Sequence, residues 1–134
     1  MNKILITGVA GFIGFSLARK ILRNKNTEIV GIDNLNLYYS KNLKLKRLSI
    51  LKKNKNFKFL KLDLKNIKTF KLLNKKKFKF IFHLAAQPGV RFSTSDPKRY
   101  IDENIVAFTK VLEFSRLQKC LCTFYASSSS VYGD

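Results

Sequence analysis

Tryptophan is absent from the 134 residues, histidine and methionine occur once each, cysteine and proline twice, and acidic side chains only eight times. Each shortage closes a class of protein. Two cysteines make no disulfide framework, and Cys120 and Cys122, two apart in a strand-like segment, could be bridged only with strain. Both are expected to be free, buried thiols. A zinc site needs about four ligands, and His83 is the only histidine available beside those thiols, so no metal is expected. No Pro-, Ser- or Gly-rich stretch interrupts a chain that is 46% apolar and 13% aromatic, which excludes intrinsic disorder. Apolar runs stay far below the roughly 18 residues of a membrane span. Met1 to Thr7 enters an apolar segment directly, with one lysine and no small-residue cleavage site, so no secretory leader is expected and the cytoplasm is the default compartment. The length predicts one domain with enough apolar material for a core.

What the chain has in excess is positive charge: 27 basic side chains give a formal +19. Between Lys41 and Lys79 lie 16 of them against the single acid Asp63, a net +15. Such a block is one signature of a nucleic-acid or anionic-membrane surface. Here lysine dominates arginine, the lysines are spread through amphipathic patterns, and Asn, Phe, Ile and Leu are enriched beside them. That mixture is what a compositional drift produces when solvated faces take the lysine. No arginine-rich face and no base-stacking aromatic ladder accompanies it, so nucleic acid is not the expected partner.

Apolar periodicity alternates strand with helix along the chain. Lys3 to Thr7 is a strand bounded by Gly8, and Gly11 to Asn24 has helical spacing at Phe12, Ile13, Leu17, Ala18, Ile21 and Leu22. Glu28 to Asp33 is a second strand. Leu43, Leu45, Leu48, Ile50 and Leu51 mark a helix solubilised by its lysines. Phe57 to Leu62 alternates as an edge strand with lysines on the open face. Lys65 to Leu73 is a short helix and Phe78 to Leu84 a strand. Pro97 begins a helix capped by Ser95 or Asp96, with Ile101, Ile105, Phe108, Leu112 and Leu117 as its apolar face. Leu121 to Ser127 is the last strand. Alternation of this kind predicts an α/β, Rossmann-like, doubly wound parallel sheet.

Chemistry is first legible at Thr7-Gly8-Val9-Ala10-Gly11-Phe12-Ile13-Gly14, where glycines three apart follow the first strand and open the first helix. In that context Gly8 makes the tight turn, Gly11 admits a pyrophosphate to the helix N-terminus, and Gly14 lets the helix pack closely on the strand. Asp33 ends the second strand 19 residues after Gly14, where an acid accepts hydrogen bonds from an adenosine ribose. An acid there repels a 2′-phosphate, so NAD is expected over NADP.

GxxGxxG differs from the ordinary dehydrogenase fingerprint and resembles the extended short-chain dehydrogenase/reductase family of sugar-nucleotide epimerases and dehydratases. Gly31-Ile32-Asp33-Asn34-Leu35-Asn36 with Tyr38-Tyr39 and Asn42-Leu43-Lys44-Leu45 resembles the UDP-glucuronate epimerase branch. Leu62-Asp63-Leu64 is similar to the segment with that family's adenine-contacting acid. His83-Leu84-Ala85-Ala86-Gln87-Pro88-Gly89-Val90-Arg91 is similar to the fourth-strand segment that runs from cofactor to sugar. Tyr100-Ile101-Asp102-Glu103-Asn104 resembles the helix start whose Asn104 lies near the pyrophosphate. Tyr125 to Gly133 resembles the serine-rich strand end.

The resemblance implies a reaction that inverts a sugar C4 centre by transient oxidation with NAD. It implies cofactor contacts from Gly8, Gly11, Phe12, Ile13, Gly14, Asp33, Asn34, Asn36, Asp63, Leu64, Leu84, Ala85, Ala86, Gln87 and Asn104. Ser128 takes the catalytic hydroxyl-bonding position and Ser129 lies beside the sugar, although four serines also suit a plain strand-end turn. Arg91 meets the nucleotide, meets a sugar carboxylate, or stays solvated. His83, at the end of a buried strand, is expected to be a packed, hydrogen-bonded ring rather than a base.

The family's catalytic Tyr-x-x-x-Lys falls beyond the serine strand, and Tyr38, Tyr39, Tyr125 and Tyr132 have no lysine four residues on. Residues 1–134 are therefore expected to be an NAD-binding Rossmann portion that ends after the fifth strand and lacks the C-terminal substrate region. They should be inactive alone, and should meet a UDP-sugar such as UDP-glucuronate only when the missing part, a complementing chain or a homodimer supplies it. With the family's strand order 3-2-1-4-5, Leu121, Cys122, Phe124, Tyr125 and Ala126 are expected on an unpaired apolar edge. Two other readings stay open: a non-catalytic NAD-binding module, and a basic nucleic-acid binder on a relict Rossmann scaffold.

Overall fold

Residues at the chain start alternate between two apolar faces, and this dictates where they go. In the computed structural model, which describes residues 1–133, β1 (Asn2–Thr7) lies at the centre of a five-stranded sheet of order β3-β2-β1-β4-β5. It pairs in parallel with β2 (Thr27–Asp33) on one side and with β4 (Phe80–His83) on the other, Ile4 facing Ile29 and Phe80. β3 (Phe57–Lys61) flanks β2 and β5 (Cys122–Tyr125) flanks β4, both also parallel. The expected fold class and strand order are those observed.

Leu5, Val30, Ile32 and Ile81 point to one face of the sheet, where α3 (Ile67–Leu73) and α6 (Ala107–Gln118) supply Phe70, Leu73, Ala107, Val111 and Phe114. Ile4, Ile6 and Ile29 point to the other, packing with Ala18 and Leu22 around α1 (Phe12–Ile21) and Leu48 and Leu51 of α2 (Lys41–Leu51). A central parallel strand buried on both faces needs this continuous apolar run. Three helix starts are marked by side-chain caps: Ser40 Oγ accepts from Leu43 N, Asn66 Oδ1 from Lys68 N, and Asp96 Oδ1 from Arg99 N at the head of α5 (Pro97–Ile101). Of the two caps expected before Pro97, it is Asp96 that serves. A short α4 (Val90–Ser95) precedes α5, and a single 3₁₀ turn (Ser129–Tyr132) follows β5.

Several expectations are corrected. On α2, Leu43, Leu45 and Ile50 are exposed, and the buried stripe is Lys44, Leu48 and Leu51. Leu43, Leu45 and Ile50 fall around the helix, whereas 44, 48 and 51 are spaced four and three apart and share one face. The helix after Pro97 is not continuous but passes through a π-helical turn (Asp102–Val106) into α6. Its expected apolar face is also wrong. Ile101, Ile105, Leu112 and Leu117 are exposed and Phe108 only half-buried, while Ala107, Val111 and Phe114 face the sheet. Asn104 sets that rotation, accepting from Gln87 N at 2.8 Å and donating to Gln87 O at 3.0 Å. The cysteines are free but not buried as expected. Cys120 is half-buried just before β5, and Cys122 is exposed because β5 is an edge strand. Phe124 and Tyr125 are exposed on the same strand, as expected of that edge. Asp134, the expected end of the fifth-strand segment, lies outside the described residues.

Candidate functional site

At the C-terminal ends of β1, β2 and β4 the chain opens a cavity of about 560 Å³ whose wall includes Gly8, the start of α1, Asp33 and Leu84 to Ala86. Parallel α/β sheets place ligands at this end of the strands, beside the strand at which the order reverses, and here that strand is β1. Its floor is fixed by Thr7. The fully buried hydroxyl oxygen accepts from Leu84 N and Ala85 N, each at 3.1 Å, and lies 2.8 Å from His83 Nδ1. With its lone pairs engaged by two amides, Thr7 Oγ1 donates its own proton to Nδ1, which leaves the ring hydrogen of His83 on Nε2. Burial lowers the His83 pKa to about 4, and the ring stacks on Phe108 at 5.2 Å. His83 is thus the packed, hydrogen-bonded, neutral ring expected of it.

The turn after Thr7 needs its glycines. Gly8 adopts φ +66°, and a Cβ there would lie 2.8 Å from Ala85 N. A Cβ on Gly14 would collide with the Gly8 carbonyl oxygen, so the first turn of α1 sits against the loop with no room for a side chain. Gly11 caps α1 without a side-chain hydrogen bond, and no acid stands in the first turn. The leading amides of α1 therefore face the cavity between Gly11 and Gly14 as an uncapped, positively polarised helix end. This is the observation a pyrophosphate requires. Phe12 and Ile13 line the same wall and are exposed.

Asp33 closes the far corner. Its Oδ2 accepts from Ala10 N at 3.2 Å and its Oδ1 from Leu35 N at 2.8 Å. The second of these bonds holds Leu35 at φ +57°, a left-handed conformation that costs a non-glycine residue of order 1 kcal/mol or more. Asn34 repeats the device, its Oδ1 accepting from Asn36 N. Two successive side-chain turns thus carry the chain along the cavity wall, which also includes Asn34, Asn36, Tyr38 and Tyr39. Tyr38 packs edge-on against Phe92 of α4 at 5.7 Å, joining the loop after β2 to the segment after β4.

Two functional side chains escaped the sequence reading, which assigned all the α2 lysines to solvent. Lys44 is only 6% exposed, donates to Asn36 O and Asn36 Oδ1 at 3.0 and 2.9 Å, and stands 3.9 Å from Asp33 Oδ1. Arg47 donates to Ala10 O at 3.2 Å and sits over the Phe12 ring. Both line the cavity. The available signal was the spacing of Lys44 from Leu48 and Leu51, which puts it on the buried face.

Of the sequence-predicted residues, Gly8, Gly11, Phe12, Ile13, Gly14, Asp33, Asn34, Asn36, Leu64, Leu84, Ala85 and Ala86 are brought together on this wall. Gln87 and Asn104 stand behind it, clamped to each other, with Gln87 almost fully buried. Gln87 Oε1 is, among the described residues, the one buried side-chain polar atom without a hydrogen-bond partner. Asp63 is not on the wall: its Oδ1 accepts from Lys65 N, and Lys65 Nζ, 3.8 Å from it, lies 2.6 Å from Glu103. That hydrogen bond to Glu103 raises the Lys65 pKa, and Glu103 lines the cavity. Arg91, Ser128 and Ser129 are exposed and off the wall, although Ala126, two residues before Ser128, is on it.

A family model described as GDP-mannose 4,6 dehydratase matches residues 5–134. The chain belongs to this family. Within it, the chain is 46% identical over 132 residues to Protein CapI of Staphylococcus aureus, covering 98% of this chain and 39% of that protein. It is 38% identical over 133 residues to the UDP-glucuronate 4-epimerase of Thermodesulfobacterium geofontis (strain OPF15), covering 98% and 41%. A crystal structure of the UDP-glucuronic acid 4-epimerase from Bacillus cereus, in complex with UDP-glucuronic acid and NAD, superimposes with a TM-score of 0.88 at 38% identity. That match covers 98% of this chain and 42% of the other. The chain thus spans about two fifths of the length of these family members. Among its described residues no helix is long and apolar enough to cross a membrane.

Proposed function

We propose that residues 1–134 are the NAD-binding portion of a nucleotide-sugar 4-epimerase of the UDP-glucuronate kind. The observation that carries this is one cavity walled by both an uncapped, glycine-flanked helix N-terminus and a buried carboxylate at the end of the next strand. The first suits a pyrophosphate and the second a ribose. The chemistry that NAD supplies when bound is reversible hydride exchange with the sugar C4 centre.

This chain's residues then bind and orient. Gly8, Gly11, Phe12, Ile13 and Gly14 cradle the pyrophosphate, and Asp33 accepts from the ribose hydroxyls with Asn34 and Asn36 beside it. Leu64 borders the adenine, with Asp63 beside it in sequence and turned onto Lys65. Leu84, Ala85 and Ala86 form the wall toward the nicotinamide, and Gln87 backs it, held in place by Asn104. Ser128 hydrogen-bonds the reacting hydroxyl, while Ser129 and Arg91 contact the UDP-sugar once the remainder of the substrate site is supplied. Tyr38, Tyr39, Tyr100 and Tyr125 are followed four residues on by Asn42, Leu43, Asn104 and Ser129, so residues 1–134 hold no tyrosine-lysine pair of that spacing for the proton transfer. They bind cofactor without turning over.

The test is titration of the chain with NADH, followed by fluorescence. Saturable binding is expected, weakened about tenfold or more by Asp33→Ala, which corresponds to about 1.4 kcal/mol. With UDP-glucuronate and NAD the chain alone should form no UDP-galacturonate. Binding of mixed nucleic acid with a steep salt slope, and no saturable NADH binding, would instead favour the polyanion reading.

A further inference from the structure

Of the 16 basic residues between Lys41 and Lys79, Lys44 is the buried one, and its burial has a specific geometry. Its ammonium spends two protons on Asn36 and directs its remaining charge at Asp33 Oδ1, 3.9 Å away, with both side chains 8% exposed. A buried cation is held only by compensation of this kind. Arg47, three residues on along α2 and on the same cavity wall, brings a second cation to Ala10, whose amide also donates to Asp33. Three donors therefore surround one carboxylate, Ala10 N and Leu35 N by hydrogen bonds and the Lys44 ammonium at 3.9 Å, and the Arg47 guanidinium adds a second cation on the same wall through the Ala10 carbonyl.

We propose that Lys44 and Arg47 form a latent phosphate pocket beneath Asp33, so that the Asp33 carboxylate alone makes this corner reject a 2′-phosphate. The inference rests on the cofactor reading above and deepens it. An acid standing alone at a ribose corner excludes a phosphate by repulsion, and its removal leaves nothing to attract one. Here removal leaves two unpaired amides and the Lys44 ammonium around the space of the lost carboxylate, with the Arg47 guanidinium on the same cavity wall, a donor set that a phosphate monoester takes. Lys44 contributes through charge. A neutral side chain able to keep the bond to the Asn36 carbonyl would hold the loop but not the anion.

The experiment is fluorescence titration of the whole chain with NADH and with NADPH, at low and moderate salt, with no turnover involved. The parent chain is expected to prefer NADH. Asp33→Ala should reverse the preference, tightening NADPH at least tenfold relative to the parent while weakening NADH. Adding Lys44→Gln to Asp33→Ala should remove most of the NADPH gain, and Lys44→Arg in the same background should keep it. Thermal melts by circular dichroism on each variant separate lost charge from lost fold. Failure of Lys44→Gln to fold hands the decision to Arg47→Gln, which should halve the gain or more.

Two results overturn the proposal while leaving the cofactor reading intact. One is NADH binding by the parent with no NADPH gain in Asp33→Ala. The other is a gain that survives both Lys44→Gln and Arg47→Gln. Absence of NADH binding by the parent overturns the cofactor reading, and this proposal with it.

Discussion

The two ends of the candidate cavity are built differently. At the Asp33 end three polar side chains on the wall are pinned: Asp33 by two amides, Asn36 by Lys44, Arg47 by Ala10 O. At the β5 end, Tyr125, Ala126, Ser127, Ser128 and Ser129 are exposed, and only Ala126 of them reaches the wall. On the reading proposed above, the cofactor end and the substrate end are separate constructions in this fold. The first is assembled by elements adjacent in sequence, β1 to α2, tied by the hydrogen bonds of Ala10 and Leu35 to Asp33 and of Arg47 to Ala10. The second is carried by a strand end supported by β4 on one side and by α6 through Phe108 and Ser115.

The contrast is tested most severely at the pinned end. Gly14→Ala drives a methyl into the Gly8 carbonyl, a backbone atom that cannot move aside, and should cost about 3 kcal/mol or more. Urea denaturation of the variant measures it, and retention of parent stability would show that the α1 turn yields. Next comes acid. His83 has a folded-state pKa lowered from 6.5 to about 4 by burial, so between those values the unfolded chain binds a proton that the folded chain refuses. Stability is therefore full above pH 6.5 and falls as pH drops through the interval, by roughly 3 kcal/mol in total. Urea midpoints measured from pH 7.5 to 4 should show that slope in the parent and not in His83→Phe. Thr7→Val keeps the shape but strands Ala85 N and His83 Nδ1 without a partner, for about 2 kcal/mol in the same assay. Ser129→Ala at the exposed end should shift stability by less than about 0.5 kcal/mol. A larger shift there would erase the contrast.

Much of this was legible in the sequence because the decisive elements obey short-range rules. The run ending at Thr7, the glycine spacing and the acid ending the second strand each state a local backbone requirement, and each sits where that requirement predicts. Asp96 as a cap is of the same kind. Facts decided by the packing of distant segments were not legible. Lysine at position 44 is read as solvated by composition, and only the Asn36 carbonyl and Asp33 make its burial tolerable. The helix after Pro97 carries two apolar stripes of similar strength, and hydropathy does not choose between them. The choice was made by the two bonds from Asn104 to Gln87, which join residues 17 apart. Asp63 turned onto Lys65 rather than the cavity for a reason of equal reach, the pairing of Lys65 with Glu103 on the π-helical turn.

The lysine-rich half has a colloidal consequence. Among the described residues no strand pairs with the outer edge of β5, where Phe124 and Tyr125, with Leu121 just before the strand, are exposed, a surface on which a second chain can add itself. What opposes such contact is the formal +19 of each molecule, which repels its copies over a distance set by the ionic strength. At 0.01 M salt that distance is about 30 Å, and at 0.15 M it is about 8 Å. Solubility should therefore fall as salt is added, the reverse of ordinary salting-in. Apart from Lys44, the lysines of that half stand off the cavity wall, yet they decide the buffer in which its ligands can be measured.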